Sequence, residues 1–231
     1  MHQVGGTFSA KKRPFFLSQQ HKEARVEFSK ELLSNGEDWK TYVFVDEKKF
    51  KMDGPDGYVK KWSIPGVSPP EPQRSREYRK TVMVFAGINY YRKTSIQWVH
   101  ETWKAVDYAN ALKKMFKQLR DADDSIEYIL YQDNASIHTA KLTKNMLEQE
   151  DIPSVKAPAR SPYMNAIENA WGELSCMVYR IKPSYDSTSE LRTSIEKCWS
   201  QMSQKYIEKL CTSEPRRLVK VLCASGERIN Y

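Results

Sequence analysis

Two apolar, strand-like runs, "YVFVDE" at 42–47 and "YILYQD" at 128–133, carry Asp46 and Asp133 at their far ends. A third stretch, "SPYMNAIENAWGEL" at 161–174, reads as a loop entering a helix and places Glu168 in its first turn. Taken singly, each Asp also fits a strand-end turn or a helix cap, and Glu168 fits a solvated helix face. Taken together they suggest chemistry. Ligands bind open α/β sheets at the carboxyl ends of the strands, and a helix packed beside two such ends would bring three carboxylates together. At ~4 Å and an effective dielectric near 20, each like-charge pair costs about 4 kcal/mol. Protonation or bound cations must relieve that cost. An oxygen-only donor set suits Mg²⁺ or Mn²⁺, and a pair of such ions is the clamp used for displacement at phosphorus.

The elements that would position these residues follow from periodicity. "LSQQHKEARVEFSKELL" repeats Leu17, Ala24, Phe28 and Leu32 at helical spacing and stops at "SNG", 34–36. The run from Thr41 predicts a strand ending at Asp46, and "MDGPDGYVKKW" predicts a turn and a returning strand. Residues 63–80 hold four prolines with Arg74, Arg76, Arg79 and Lys80, which reads as an exposed basic loop. Strands are expected at 81–88, 94–99 and 126–133, with a short one in "DIPSVKAP". A helix over 105–120 aligns Ala109, Leu112, Met115, Phe116 and Leu119. Ser136 or Thr139 is expected to cap a helix continuing to Glu148, and helices fill most of 166–225. The pattern predicts one α/β domain, a mixed sheet flanked by helices.

Composition agrees with a packed, basic protein. The chain has 231 residues, 40% hydrophobic and 29% charged, with a formal net charge of +8 and a pI near 9.2. Basic character points to a polyanionic partner. No run of ~18 apolar residues and no charged-then-apolar leader is present, which predicts an intracellular soluble protein with no membrane association. Cys176, Cys198, Cys211 and Cys223 form no CxxC pair, so they read as reduced core thiols. A paired-carboxylate glycosidase would leave the basic charge without a purpose.

"VFVDEKKFKMDGPDGYVKKW", "YQDNASIHTAK" and "PARSPYMNAIENAWGEL" resemble the three signature blocks of Tc/mariner-type transposases of the Tc-like branch. Between Asp133 and Glu168 lie residues 134–167, the 34-residue interval of a DD34E triad. The closing "EPRRLVKVLCASGERINY" is similar to the family's C-terminus, so the resemblance covers about residues 14–231. It implies an RNase H-like fold at 41–231, preceded by a basic segment and linker helix at 1–40. It also implies that Asp46, Asp133 and Glu168 hold two Mg²⁺ or Mn²⁺ ions for phosphoryl transfer. One ion would activate water to cut a transposon end, and the other would stabilise the leaving 3′ oxygen, which then attacks target DNA. Double-stranded DNA, a homodimer and a nuclear location follow, with no small-molecule cofactor.

Around the triad, the resemblance suggests Asn134 and His138 as phosphate or metal-shell positioners, with a turn residue and a cap neighbour as their plain readings. Asn165 and Asn169 flank Glu168, and Asn169 is expected to orient its carboxylate or the scissile strand. Lys48 and Lys49 are phosphate-contact or simply solvated positions, and Arg74, Arg76 and Arg79 are expected to meet DNA or the partner subunit. Glu47 follows Asp46 but points to the other face by alternation, so it should not be a ligand. Trp171 reads as core. Where the family block reads Asp, Leu and Pro, this chain has Tyr163, Met164 and Ala166, and the lost proline is expected to loosen the approach to Glu168. Only about 45 residues precede Asp46, too few for the family's paired helix-turn-helix modules. The reading is thus a transposase catalytic core, with an inactive DNA-binding remnant or an RNase H-like metal nuclease as alternatives. If the three charges merely repel, Asp133→Asn should leave the metal-free chain as stable as before or slightly more so.

Overall fold

The computed structural model describes residues 16–54 and 80–230. The expected return strand at 58–62 and the basic loop with Arg74, Arg76 and Arg79 therefore lie outside the described residues. The first helix, α1 (Gln19–Ser34), is capped by Ser18, whose side chain accepts from the His21 amide at 3.3 Å. It ends where expected, with Gly36 in the left-handed region (φ 64°).

Five strands form one mixed sheet in the order β3-β2-β1-β4-β5. They are β1 (Tyr42–Lys51), β2 (Thr81–Ile88), β3 (Gln97–Val99), β4 (Ile129–Gln132) and β5 (Ser154–Lys156). The first three are antiparallel neighbours, and β4 and β5 run parallel to β1. This sheet with its helical layers is the RNase H-like arrangement expected from the sequence.

Alternation along β1 divides the molecule. Tyr42, Phe44, Phe50 and Met52 enter one core with residues of α5 (Ile167–Ile181), α6 (Thr188–Gln201), α7 (Gln204–Cys211) and α8 (Glu214–Cys223). Val43 and Val45 enter the other, beneath α2 (Ala105–Ala122) and α4 (Lys141–Gln149). The predicted stripe of α2 is buried throughout. Burying an apolar side chain contributes on the order of 1.5–3 kcal/mol each, so both layers are held firmly to the sheet.

Several expectations need correction. β1 does not stop at Asp46, because its second half is zipped to β2 as far as Lys51↔Thr81. The strand expected at 94–99 is confined to Gln97–Val99. Neither Ser136 nor Thr139 caps a helix: α3 (Ser136–Thr139) and α4 follow Ala135 and Ala140, which make no side-chain cap bond. Asp133 supplies a related bond instead, accepting from the Ala135 amide at 2.9 Å. Of the four free cysteines, Cys198 and Cys211 are buried, while Cys176 and Cys223 are exposed. Among the described residues no helix is long and apolar enough to cross a membrane.

Candidate active site

The site lies where β1 and β4 part. Their parallel pairing runs from Tyr42↔Ile129 to Phe44↔Tyr131. Carried two residues further, the same register sets Asp46 opposite Asp133 on one face of the sheet. β4 has ended at Gln132, whereas β1 continues on its pairing with β2. The gap so created is a cleft of about 340 Å³, lined among others by Asp46, Asp133, Asn134, Arg160, Asn165 and Glu168. A larger groove of about 900 Å³ lies at the other end of β4 and β5, around Arg120, Tyr128 and Lys144, and holds none of the three carboxylates.

Glu168 reaches the cleft because α5 lies against β1. Ile167, Ala170, Trp171, Leu174 and Val178 bury one face of that helix, and Trp171 stacks on Trp199 at 5.3 Å. At the position of the missing proline the backbone keeps a proline-like angle. Ala166 is fully buried and holds φ −58°, close to the angle a proline ring would impose. The buried Asn165 adds a tie that sequence could not specify: its Nδ2 donates to the Val45 carbonyl at 3.1 Å, joining the start of α5 to the strand that carries Asp46.

The three carboxyls feel their surroundings differently. Burial pushes Asp46 well above the usual carboxylate range, and the charges of Glu168, Glu47 and Asp133 push it further. Glu168 is also raised, by burial first and by Asp133, against the pull of Lys48. Asp133 is lowered, chiefly by the hydrogen bond with His138 and against its own burial. His138 is buried, with Nδ1 2.6 Å from Asp133 Oδ1 and Nε2 3.4 Å from Glu47 Oε1. Burial pulls it down, yet the bonds to Asp133 and Glu47 prevail and raise it to about 9. Its ring stacks on Tyr108 at 4.1 Å, and the Tyr108 hydroxyl donates to Gln132 Oε1 at 2.6 Å.

Glu47 does leave β1 on the face opposite Asp46, as alternation requires, yet it meets Asp133 through His138. Asn134 is engaged structurally, donating to the Ala157 carbonyl at 2.8 Å. Asn169 meets Tyr206 through its carbonyl at 3.3 Å. Lys48 is half-buried on the Asp46 side of β1 and Lys49 is exposed on the other.

Sequence reasoning missed two buried guanidinium groups behind the cleft. Arg25 of α1 donates to Ser161 Oγ (2.9 Å), the Gly226 carbonyl (2.9 Å) and the Arg160 carbonyl (3.1 Å), and lies 4.5 Å from the Tyr163 ring centre. Arg217 of α8 donates to the Tyr163 carbonyl at 2.9 Å. Both brace the segment that leads into α5. In the sequence they read as ordinary basic helix residues, since their partners are distant in the chain.

A family model described as DDE superfamily endonuclease matches residues 41–192. The Tc3 transposase of Caenorhabditis elegans is 34% identical over 216 residues, covering 93% of this chain and 65% of its own length. The Tcb1 transposase of Caenorhabditis briggsae is 26% identical over 232 residues, covering 95% of this chain and 81% of its own. This chain thus spans just under two thirds of the Tc3 relative. Among solved structures, the pre-cleavage Mos1 transpososome superposes with a TM-score of 0.81 at 18% identity, over 100% of this chain and 68% of that one. The catalytic domain of Mos1 mariner transposase gives 0.75 at 17%, over 95% of this chain and 100% of that one. With three carboxylates at the split of an RNase H-like sheet and these matches, the chain belongs to the DDE superfamily endonucleases.

Proposed function

We propose that this chain is the catalytic core of a DNA transposase, cutting and joining DNA phosphodiesters with divalent ions held by Asp46, Asp133 and Glu168. The observation that carries the reading is the convergence of these three carboxyls, from β1, β4 and α5, on one cleft. Relatives' names and the titles of similar Mos1 structures support it: paired-end complexes with Mn and with Mg, and a strand transfer complex.

The donor set fits a hard cation. It is made of oxygen atoms, it concentrates negative charge, and its most buried member, Asp46, is raised by burial first and then by its acidic neighbours. Among the described residues no group of three or more His, Cys, Asp or Glu side chains stands ready to hold a metal ion. Two ions would lower the pKa of the attacking water or hydroxyl and stabilise charge on the departing 3′ oxygen.

The remaining work falls to the chain. His138 keeps Asp133 ionised and fixes its rotamer. Asn165 fixes the start of α5, and with it Glu168, relative to β1. Lys48 offsets part of the Glu168 charge. Asn134, by holding the Ala157 carbonyl, supports the cleft wall. Residues 41–231 form the catalytic domain in this reading, and the helix contributed by 1–40 braces it through Arg25. Double-stranded DNA is the substrate, the nucleus the site of action, and a homodimer the form that would hold two ends, with Arg74, Arg76 and Arg79 among its basic contacts.

The test is cleavage, and joining of a pre-cut 3′ end, by the purified chain in Mn²⁺, beside Glu168→Gln and Asp46→Asn. Activity lost in both variants while duplex binding persists supports the proposal. Cleavage that survives Glu168→Gln refutes it, and duplex binding without any cleavage favours the inactive DNA-binding reading.

A further inference from the structure

Among the described residues, Arg160 is the one basic residue lining the cleft with Asp46, Asp133 and Glu168. Its side chain is exposed, while its backbone sits at φ 58°, in the left-handed region that a non-glycine residue adopts at a cost. Such a conformation persists only where the surroundings over-determine it, and here they do. Arg25 Nη2 donates to the Arg160 carbonyl at 3.1 Å and Arg25 Nε to Ser161 Oγ at 2.9 Å. Asn134 holds Ala157 three residues upstream, and Arg217 holds Tyr163 three residues downstream. The Arg160 guanidinium donates through Nη1 to the Phe16 carbonyl at 2.7 Å. A guanidinium has five N–H donors in a planar fork, a shape that matches phosphate oxygens.

We propose that Arg160 is a DNA-binding residue that grips a phosphate of the strand lying in the cleft, with its strained backbone held by Arg25 at the cleft lining. This rests on the transposase reading and adds a residue to it. The geometry divides the labour electrostatically. Three carboxylates take cations, and a DNA backbone drawn to those cations must still cross the acidic rim. A cation at the rim supplies the counter-charge there, and its side chain is already tethered at one nitrogen with donors to spare.

The strain makes the test clean, because glycine at 160 removes the side chain and relieves the backbone at once. Binding of a random-sequence duplex is titrated at several salt concentrations for wild type, Arg160→Gly, Arg160→Lys and, as a charge-matched control on the exposed side of α2, Lys114→Ala. Each phosphate contact contributes about 0.9 to the slope of log K against log salt. The expected result is that Arg160→Gly loses about 0.9 of that slope while melting at or above the wild-type temperature. Arg160→Lys restores the slope, and Lys114→Ala leaves it unchanged. An unchanged slope in Arg160→Gly, or an equal loss in Lys114→Ala, overturns this inference and leaves the catalytic reading standing. Absence of any salt-dependent duplex binding by the wild type overturns both.

Discussion

His138 Nδ1 stands 2.6 Å from Asp133 Oδ1, and the other ring nitrogen faces Glu47 at 3.4 Å. One imidazole therefore spans two carboxylates that leave neighbouring strands on different faces of the sheet. Asp133 enters the cleft already held, whereas among the described residues Asp46 has no comparable partner beyond the backbone bond at Glu47. The like-charge cost in the cleft is consequently not shared evenly.

Stability at alkaline pH should expose this contact. A histidine raised from 6.5 to about 9 contributes stability that is fully present below pH 6.5 and is lost as pH rises through 9. The contribution is about 3 kcal/mol at most. The difference in unfolding free energy between wild type and His138→Gln, measured without divalent metal, should shrink steadily from pH 6.5 to 9.5. A difference that stays constant across that window would show that His138 is not protonated by the pair.

Neutralising the two aspartates should have opposite effects on the metal-free protein, which revises the expectation formed from repulsion alone. Asp46 is raised by burial and by Glu168, so Asp46→Asn should stabilise the metal-free fold by about 1 kcal/mol. Asp133 is lowered by His138, so Asp133→Asn should destabilise it, by no more than about 1 kcal/mol because the carboxylate is largely exposed and solvent screens the pair. Both should abolish the rise in melting temperature produced by Mn²⁺, because ligand binding to the native state alone is what produces it. Thermal melts with and without Mn²⁺ measure all of this. Wild-type melting that ignores Mn²⁺ would remove the metal site from consideration.

The ion pair behind the cleft invites a similar comparison. Arg217 Nε lies 3.3 Å from Glu214 Oε1 and both side chains are fully buried, but among the described residues neither Glu214 oxygen makes a well-aligned hydrogen bond. Burial outweighs the arginine and pushes Glu214 up to about 8. At pH 7 the acid is then mostly protonated, so Glu214→Gln should cost less than about 1 kcal/mol. Arg217→Met should cost about 1–3 kcal/mol, since it strips the Tyr163 carbonyl of its donor. Urea titrations of the two variants give the ranking, and equal losses would contradict it.

How much of this was legible beforehand follows from the range of each interaction. Period-2 alternation is local, so the opposite faces of Asp46 and Glu47 followed from β1 alone. The 34-residue interval and its flanking blocks marked Asp133 and Glu168 through family resemblance. The extent of β1 was not legible, because it depends on pairing with β2, whose register no local pattern states. The His138 bridge to Glu47 spans 91 positions, the Arg25 bond to Ser161 136 and the Asn165 bond to Val45 120. Such contacts exist only once the sheet order is known. The cap was misplaced for a smaller reason: Asp133 takes the Ala135 amide before Ser136 can serve the helix start.

The amide of Asn165 supplies the last prediction, because it connects the two segments that carry the proposed ligands Asp46 and Glu168. Its Nδ2 donates to the Val45 carbonyl at 3.1 Å, one residue before Asp46, and its Oδ1 faces the Ile167 amide at 3.4 Å, one residue before Glu168. Asn165→Ala leaves a buried carbonyl without its donor, which costs about 1–3 kcal/mol. That loss alone would mark any buried hydrogen bond. A positioning role predicts more: the Mn²⁺ concentration giving half the maximal rise in melting temperature should increase by about tenfold, as lost support around metal ligands typically costs 10–100-fold in affinity. Thr212→Val on the exposed end of α7, which removes the hydroxyl bond to Glu208, serves as a control distant from the cleft and should leave the Mn²⁺ midpoint where it was. If Asn165→Ala lowers the melting temperature but keeps the wild-type Mn²⁺ midpoint, the amide supports the fold and does not set the distance between Asp46 and Glu168.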